Sequence, residues 1–178
     1  QAKKECSIPV IASINCYSNS EWTDFAVMMQ NAGADALELN ILSLQTDKDY
    51  QFGSFEQRHI DILRRVKKAV QIPVIIKLGS NFTNPIALIN QLYANGAAAV
   101  VLFNRFYQPD FNIDTLAFTN TNVMSTPQEL ASRLRWTAIA SAEVPQLDYA
   151  VSGGVHNGKG VIKSLLSGAA AVEVCSVI

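Results

Sequence analysis

The sequence has little charge and no excess of either sign. Only 16% of its 178 residues are charged, and 14 lysines and arginines stand against 15 acidic residues. A chain with so even a balance has no strong field to attract nucleic acid or an anionic membrane. We therefore expect a small-molecule partner and no nucleic acid.

Long apolar runs and paired cysteines are also missing. No run approaches the roughly 18 apolar residues of a membrane-spanning helix, and the first ten residues lack the form of a signal peptide. The three cysteines, Cys6, Cys16 and Cys175, are an odd number without Cys-x-x-Cys spacing. That pattern argues against a disulfide framework or a zinc site. These features predict a cytoplasmic protein without a metal site.

What the chain does contain is a repeated apolar run that stops on a polar residue. Three runs begin Gly-Ala-x-Ala, at residues 33–40, 96–104 and 168–176. Two others begin Ile-Pro-Val and end on Ser13 or Lys77. Each run is typical of a strand that follows a helix. In a barrel of parallel strands, the carboxyl ends of the strands carry the chemistry.

The whole chain alternates in this way. Strands are predicted at residues 10–14, 36–41, 74–78, 98–103, 147–151 and 170–174, and helices at 20–31, 54–70, 85–95, 127–141 and 159–166. Residues 105–127 are predicted to be one long irregular stretch. Alternation of this kind indicates α/β structure with parallel βα units.

The regular Gly-Ala repeat favours a (β/α)8 TIM barrel over an open sheet. A closed barrel usually takes about 250 residues. We therefore expect residues 1–178 to form a single barrel domain with about six βα units, lacking the first strands and the last helix.

A phosphate site is predicted at the last two strands. Ser152, Gly153 and Gly154 follow one strand, and Cys175 and Ser176 end the next. Two glycines let backbone N–H groups approach an anion closely, and the helix that follows adds its positive end. The alternative is a Gly-Gly turn that simply needs positive φ.

Lys77 and two asparagines are candidates for a binding floor. Lys77 ends an apolar strand, where a lysine needs an anionic or carbonyl partner unless it is a surface residue at the start of a loop. Asn40 and Asn104 also end strands, and their amides suit a flat ring with alternating C=O and N–H groups. Each asparagine alone could equally be a turn residue.

Ser43 and the two histidines are weaker candidates. Ser43 follows Asn40 by three residues and could accept a proton from a substrate, although most loop serines have no such role. His59 lies between charged residues of a helix and is expected to be solvated. His156 follows the glycine loop, where it either touches a phosphate or is exposed.

The motifs VIASIN, AGADALELNI, IPVIIKL, VVLFN, SGGV and GAAAVEVCS, in that order, resemble the dihydroorotate dehydrogenase family. The resemblance extends to the pyrimidine-reducing domain of dihydropyrimidine dehydrogenase. It implies a (β/α)8 barrel that holds FMN and acts in pyrimidine biosynthesis. The implied reaction removes a proton from C5 of dihydroorotate and transfers a hydride from C6 to flavin N5, which yields orotate. A homodimer is also expected, and no electron acceptor is assigned.

The resemblance also implies a role for each matching residue. Ser43 would be the catalytic base, and Lys77 would stabilise negative charge on the isoalloxazine ring. Asn40 would contact both flavin and substrate. The other implied cofactor-binding residues are Ser13, Ser152, Gly153, Gly154, Cys175 and Ser176, and the other implied substrate-binding residues are Gln45, Asn104 and Arg105.

Two departures from the family pattern affect the substrate end. Gln45 stands where the family has a second asparagine, and Arg105 stands where a small Ser or Thr follows Asn104. Flavin binding is therefore better supported than dihydroorotate as the substrate. The alternatives are a flavoprotein of the same fold acting on another dihydropyrimidine, a non-redox barrel that binds a phosphorylated metabolite, and a flavin-binding protein without turnover.

Overall fold

A computed structural model describes residues 2–5, 7–120 and 123–178, apart from the side chain of Asn19. Strands β1 to β8 are Ile11–Ile14, Ala36–Ile41, Val74–Leu78, Ala99–Leu102, Pro109–Asn112, Ala117–Asn120, Asp148–Ser152 and Ala171–Glu173. Helices α1 to α6 are Ala2–Glu5, Asn19–Asn31, Ser54–Ala69, Pro85–Ala94, Leu130–Glu143 and Gly158–Leu166. A 3-10 turn, Pro127–Glu129, precedes α5.

Six strands form one parallel sheet in the order β1-β2-β3-β4-β7-β8. The strands are added in sequence order with no reversal, so successive crossovers run in one direction. A doubly wound sheet would reverse its strand order at a switch point. The sheet therefore has the winding of a TIM barrel, as predicted, and it curls into a half-barrel of six strands.

The two faces of the half-barrel differ because side chains alternate along each strand. Leu37, Leu39, Ile76, Leu78 and Leu102 point to the outer side, where they are fully buried in the main core. The alternate positions point to the concave side and include Glu38 and Lys77. The apolar outer face holds the helices, so the inner face is left for polar groups.

The Gly-Ala repeat marks the same turn three times. Gly33, Gly96 and Gly168 follow helices α2, α4 and α6, and their φ angles are +89°, +87° and +97°. Glycine occupies this left-handed position at helix ends because a Cβ would be strained there. The repeat therefore marks the turn between each of these helices and the strand that follows it.

The prediction of one irregular stretch over residues 105–127 is wrong in part. Strands β5 and β6 form an antiparallel hairpin, and the rings of Phe111 and Phe118 pack across it with centroids 4.8 Å apart. Alternation is weak in so short a polar segment, so the sequence pattern did not reveal the pairing. Residues 121 and 122 of this stretch lie outside the described residues.

The described residues contain neither a membrane-spanning helix nor a metal-binding cluster. None of the described helices is long and apolar enough to cross a membrane. The same residues contain no cluster of three His, Cys, Asp or Glu side chains able to hold a metal ion. Cys16 and Cys175 have free thiols, and Cys6 lies outside the described residues.

Replacing Gly168 by alanine should destabilise the fold more than replacing Gly53. Both residues have left-handed φ, which costs an alanine about 1–2 kcal/mol. A Cβ on Gly168 would also lie 2.6 Å from Cβ of Ser141, whereas one on Gly53 would meet nothing within 4 Å. Overpacking should add about 1–3 kcal/mol to the loss of unfolding free energy in Gly168→Ala. Equal losses for the two variants in urea denaturation would contradict this reading of the turn.

Candidate functional site

A cavity of about 960 Å³ occupies the concave side of the half-barrel. Because parallel strands end at the same rim, the cavity collects side chains that are far apart in the sequence. Most of the predicted site residues line it, namely Ser13, Lys77, Asn104, Arg105, Ser152, Gly153, Gly154, Cys175 and Ser176. Phe103 and Val155 add apolar surface near the rim.

The glycine loop after β7 requires both of its glycines. Gly153 and Gly154 have φ of +90° and +79°, and a Cβ on Gly154 would lie 2.9 Å from Cα of Leu130. Helix α6 begins four residues later, with Asn157 accepting a hydrogen bond from the Gly160 N–H at 3.0 Å. The loop is thus a tight turn with open backbone, and its role toward an anion stays a prediction.

Ser176 is brought to this loop by a residue that the sequence analysis missed. The Ser125 hydroxyl donates to Ser176 Oγ at 3.1 Å, and the Ser125 N–H donates to the same oxygen at 3.2 Å. Ser125 Oγ also lies 3.2 Å from Nε2 of His156. Three side chains with hydrogen-bonding capacity therefore meet beside the glycine loop. Ser125 lies in the long polar stretch, where no periodic pattern distinguishes it.

Lys77 lies at the centre of the concave face and has an anionic partner, as a buried lysine should. Its Nζ is 2.5 Å from Oε2 of Glu173 on β8 and 3.8 Å from Oε1 of Glu38 on β2. The Ser13 hydroxyl donates to Glu38 Oε1 at 2.5 Å. One carboxyl therefore comes from the neighbouring strand β2, and the other comes from β8 at the edge of the sheet.

The sequence analysis missed both glutamates, although a signal was present. Glu38 alternates with Asn40 along β2, so both must share the concave face. Glu173 ends β8 three residues before Ser176, in a run that is otherwise apolar. A charged residue at an inward position of a buried strand needs a partner, and the period of two could have identified both residues.

The two carboxyls have opposite pKa shifts. Burial and the neighbouring Glu173 carboxyl raise the pKa of Glu38 to about 7. Burial alone would raise the pKa of Glu173, but hydrogen bonds from Glu38 and Lys77 outweigh it and lower that pKa. Between about pH 4.5 and 7, Glu38 holds a proton while Glu173 is ionised beside the Lys77 ammonium. The three groups together then have no net charge.

The two strand-end asparagines meet at the rim, as predicted. The Asn104 side-chain amide donates to Oδ1 of Asn40 at 2.6 Å. The backbone N–H of Arg105 donates to Oδ1 of Asn104 at 2.7 Å, which fixes the orientation of that amide. The pair of amides thus presents defined donors and acceptors beside Lys77.

The Arg105 side chain is engaged by the protein itself. Its Nε lies 3.3 Å from both carboxylate oxygens of Glu129, and its Nη1 donates to the Val123 carbonyl at 2.9 Å. Glu129 also contacts Nη2 of Arg133 at 3.3 Å. Arg105 therefore lines the cavity with its guanidinium directed toward the turn before α5.

Three predicted site residues, Asn40, Ser43 and Gln45, do not line the cavity in the part of the chain that the structure describes. The Ser43 hydroxyl is buried and has no hydrogen-bond partner among the described residues. The Ser43 carbonyl accepts from the Asn81 side chain at 3.3 Å. Gln45 is exposed in the loop after β2. The roles of all three residues stay predictions.

The expectation that His59 is solvated is wrong. His59 is 0% exposed, and its ring makes edge contacts with the stacked rings of Phe55 and Phe82. Its Nδ1–H donates to the Phe55 carbonyl at 2.7 Å, and burial lowers the pKa of the ring. His59 is four residues after Phe55 and four before Leu63, so it shares their buried face despite its charged neighbours.

Replacing Glu38 by glutamine should change how stability depends on pH. In the folded protein Glu38 holds its proton up to about pH 7, against an ordinary value of 4.5. Between these values the folded state binds more protons than the unfolded state, so the free energy of unfolding falls as the pH rises. Glutamine has no proton to lose, so the free energy of unfolding of Glu38→Gln should not fall in this window. The difference between the variant and the wild type should therefore rise across the window in favour of the variant, by at most about 3 kcal/mol.

Urea denaturation from about pH 4.5 to 8 measures this difference. Glu173 does not obscure this difference, because its pKa is lowered and its effect on the free energy of unfolding therefore falls below about pH 4.5. Glu143→Gln, at an exposed position, is the matched control and should follow the wild type. Parallel curves for wild type and Glu38→Gln would contradict the assignment.

Proteins of known name resemble the chain over nearly its whole length. The dihydroorotate dehydrogenase B (NAD(+)) catalytic subunit of Thermoplasma volcanium is 31% identical over 176 residues, covering 96% of this chain and 57% of that protein. The subunit of the same name from Methanocella arvoryzae is 33% identical, covering 98% of this chain and 58% of that protein. The chain therefore spans somewhat more than half the length of the relatives it matches. No protein-family model matches it.

A solved structure shares the fold. The dihydroorotate dehydrogenase of Eimeria tenella, crystallised in complex with ferulenol, matches 88% of this chain and 48% of its own chain with a TM-score of 0.62 and 17% identity. This similarity concerns the fold alone, and it agrees with the winding of the half-barrel. The two subunits confirm the resemblance read from the motifs: over nearly its whole length, the chain is similar to dihydroorotate dehydrogenase B catalytic subunits.

Proposed function

We propose that this chain forms the flavin and substrate site of an FMN-dependent oxidoreductase that converts dihydroorotate to orotate. The observation that carries the proposal is the position of Lys77. Its ammonium lies inside the cavity, and the asparagine pair and the glycine loop lie at the rim where the parallel strands end. The names of the two relatives support the same substrate.

The cavity suits FMN in size and in the chemistry of its ends. Its volume of about 960 Å³ lies at the upper end of small-molecule sites, which reach roughly 1,000 Å³. The backbone of Gly153 and Gly154 and the hydroxyl of Ser176 would hold the phosphate. The concave face near Ser13 and Lys77 would hold the ring. Both glycines line the cavity, so their backbone could contact the anion there, while the side without a Cβ packs against Leu130 and Arg133.

FMN, when bound, supplies the acceptor for the hydride that leaves C6 of the substrate. Lys77 would supply a fixed positive charge to a ring that becomes negative on reduction, and electrostatic stabilisation of this kind is usually the largest single term in catalysis. The hydrogen-bonded pair of Asn40 and Asn104 would orient the substrate ring through its C=O and N–H groups.

We assign the removal of the C5 proton to Ser43. Its hydroxyl is buried and lacks a partner among the described residues, and leaving a buried hydroxyl unpaired costs about 1–3 kcal/mol. Such a cost is offset when a substrate contacts the group. Because Ser43 follows Asn40 by three residues, it lies in the loop nearest the asparagine pair.

A second candidate function is oxidation or reduction of another dihydropyrimidine on the same flavin. The observation that favours it is at the substrate end, where Arg105 is paired with Glu129 and Gln45 is exposed. A carboxylate substrate would need one of these residues or a replacement for it. A non-redox barrel for a phosphorylated metabolite would use the same glycine loop but has no need of Lys77. The cytoplasmic location and the homodimer stay predictions.

Replacing Ser43 by alanine should slow reduction of bound flavin by substrate without releasing the flavin. Loss of a general base typically costs about 10²–10⁴-fold in rate. Stopped-flow absorbance under anaerobic conditions measures the rate, and the visible spectrum of the purified variant measures flavin content. Ser54→Ala, an exposed serine at the start of α3, is the matched control. An unchanged rate in Ser43→Ala would remove Ser43 from the reaction.

A further inference from the structure

Lys77 has two carboxyl neighbours and only one charge. Glu173 lies 2.5 Å from its Nζ, and Glu38 lies 3.8 Å from the same atom. Interaction energy falls with distance, so Glu173 is the principal counter-ion. The Lys77 and Glu38 side chains are 16% and 7% exposed, so water screens them little, whereas the Glu173 side chain is 34% exposed.

Glu38 is the more distant of the two carboxyls from Lys77 and has a hydrogen-bond partner of its own. The Ser13 hydroxyl donates to Oε1 of Glu38, the same oxygen that is nearer to Lys77. Glu173 lies on β8, opposite Ser152 in the pairing with β7, and also approaches the Ser152 side chain. The ion pair with Lys77 therefore joins β3 to β8 across the cavity. The two strands supply the predicted ring and phosphate sites respectively.

An ammonium with a full counter-ion presents less positive charge to anything else beside it. The extent to which Lys77 stabilises a reduced flavin ring therefore depends on the strength of its ion pair with Glu173. The Glu173 carboxylate orients the Lys77 ammonium and offsets part of its charge. It should therefore change the stability of the reduced flavin.

We propose that Glu173 is a positioning residue that fixes the Lys77 ammonium across the cavity and thereby sets the reduction potential of the bound flavin. This inference rests on the proposed function for the flavin. It adds to that function a residue that matches none of the predicted site positions. When Glu173 loses its charge, Glu38 becomes the counter-ion of Lys77.

The first test compares the midpoint potential of flavin bound to the wild type and to Glu173→Gln. At about pH 8.5, above the pKa of Glu38, the wild-type group has two carboxylates and one ammonium, and the variant has one of each. The variant should stabilise reduced flavin at least tenfold, which raises the midpoint potential by about 30 mV for two electrons. Glu143→Gln removes the same charge at an exposed position and should leave the potential unchanged.

A double-mutant cycle with Lys77→Met tests whether Glu173 acts through the lysine. In the Lys77→Met background, Glu173→Gln should shift the potential by less than half of its shift in the wild type. Shifts that simply add would mean that Glu173 acts as an independent charge, and they would overturn the proposal. An unchanged potential in the single variant would overturn it as well.

A second readout needs no flavin. In the apoprotein, ¹³C NMR of the Glu38 side-chain carboxyl should show a pKa of about 7 in the wild type and a lower value in Glu173→Gln. The pKa falls because the repelling carboxylate is gone and Glu38 becomes the partner of Lys77. A value that stays at about 7 would overturn the arrangement of the three groups.

The two readouts separate the inference from the proposed function. A wild-type protein that binds no FMN would contradict the proposed function, and the inferred effect on the flavin would fall with it. The Glu38 titration would still decide whether Glu173 is the counter-ion of Lys77. Flavin that binds and is reduced, with no change of potential in Glu173→Gln, would contradict the inference alone.

Discussion

The ion pair between Lys77 and Glu173 is the constraint on which the rest of the site depends. An ammonium inside an α/β barrel must be compensated, because an unpaired buried charge costs several kcal/mol. The Glu173 carboxylate compensates it at 2.5 Å from Lys77 Nζ. The Glu38 carboxyl lies 3.8 Å from the same atom and is protonated below pH 7. The concave face therefore keeps a positive group that can act on a ligand without a large net charge.

Parallel winding explains why such distant residues meet. Lys77 and Glu173 are 96 residues apart, yet their strands end on the same rim of the half-barrel. Alternation along each strand sends apolar residues outward to the helices and leaves inward positions for polar groups. Glycines at left-handed positions end the helices and open the loop at Gly153. The fold thus separates the part that stabilises it from the part that contacts a ligand.

Much of this was predictable from the sequence, and the failures have physical reasons. The six strands and the helices between them followed from periodicity, and strand-end polarity placed Lys77, Asn40 and Asn104 near one another. The period of two could have marked Glu38 and Glu173 as inward positions, but their contact with Lys77 joins different strands and is not visible in local pattern. His59 was misread because its charged neighbours conceal a buried helix face. The hairpin β5–β6 depends on pairing too short to leave a strong signal. The site around Ser43 and Gln45 depends on a loop without periodicity.

The proposed function requires that flavin bound in this cavity accept a hydride from dihydroorotate, and that Lys77 assist this step. The most direct measurement is the anaerobic absorbance spectrum of the purified full-length protein as dihydroorotate is added, for the wild type and for Lys77→Ala. The account predicts a flavin band that bleaches in the wild type and bleaches far more slowly in the variant. A band that dihydroorotate leaves unchanged in the wild type, or that bleaches equally fast in both proteins, would contradict the account.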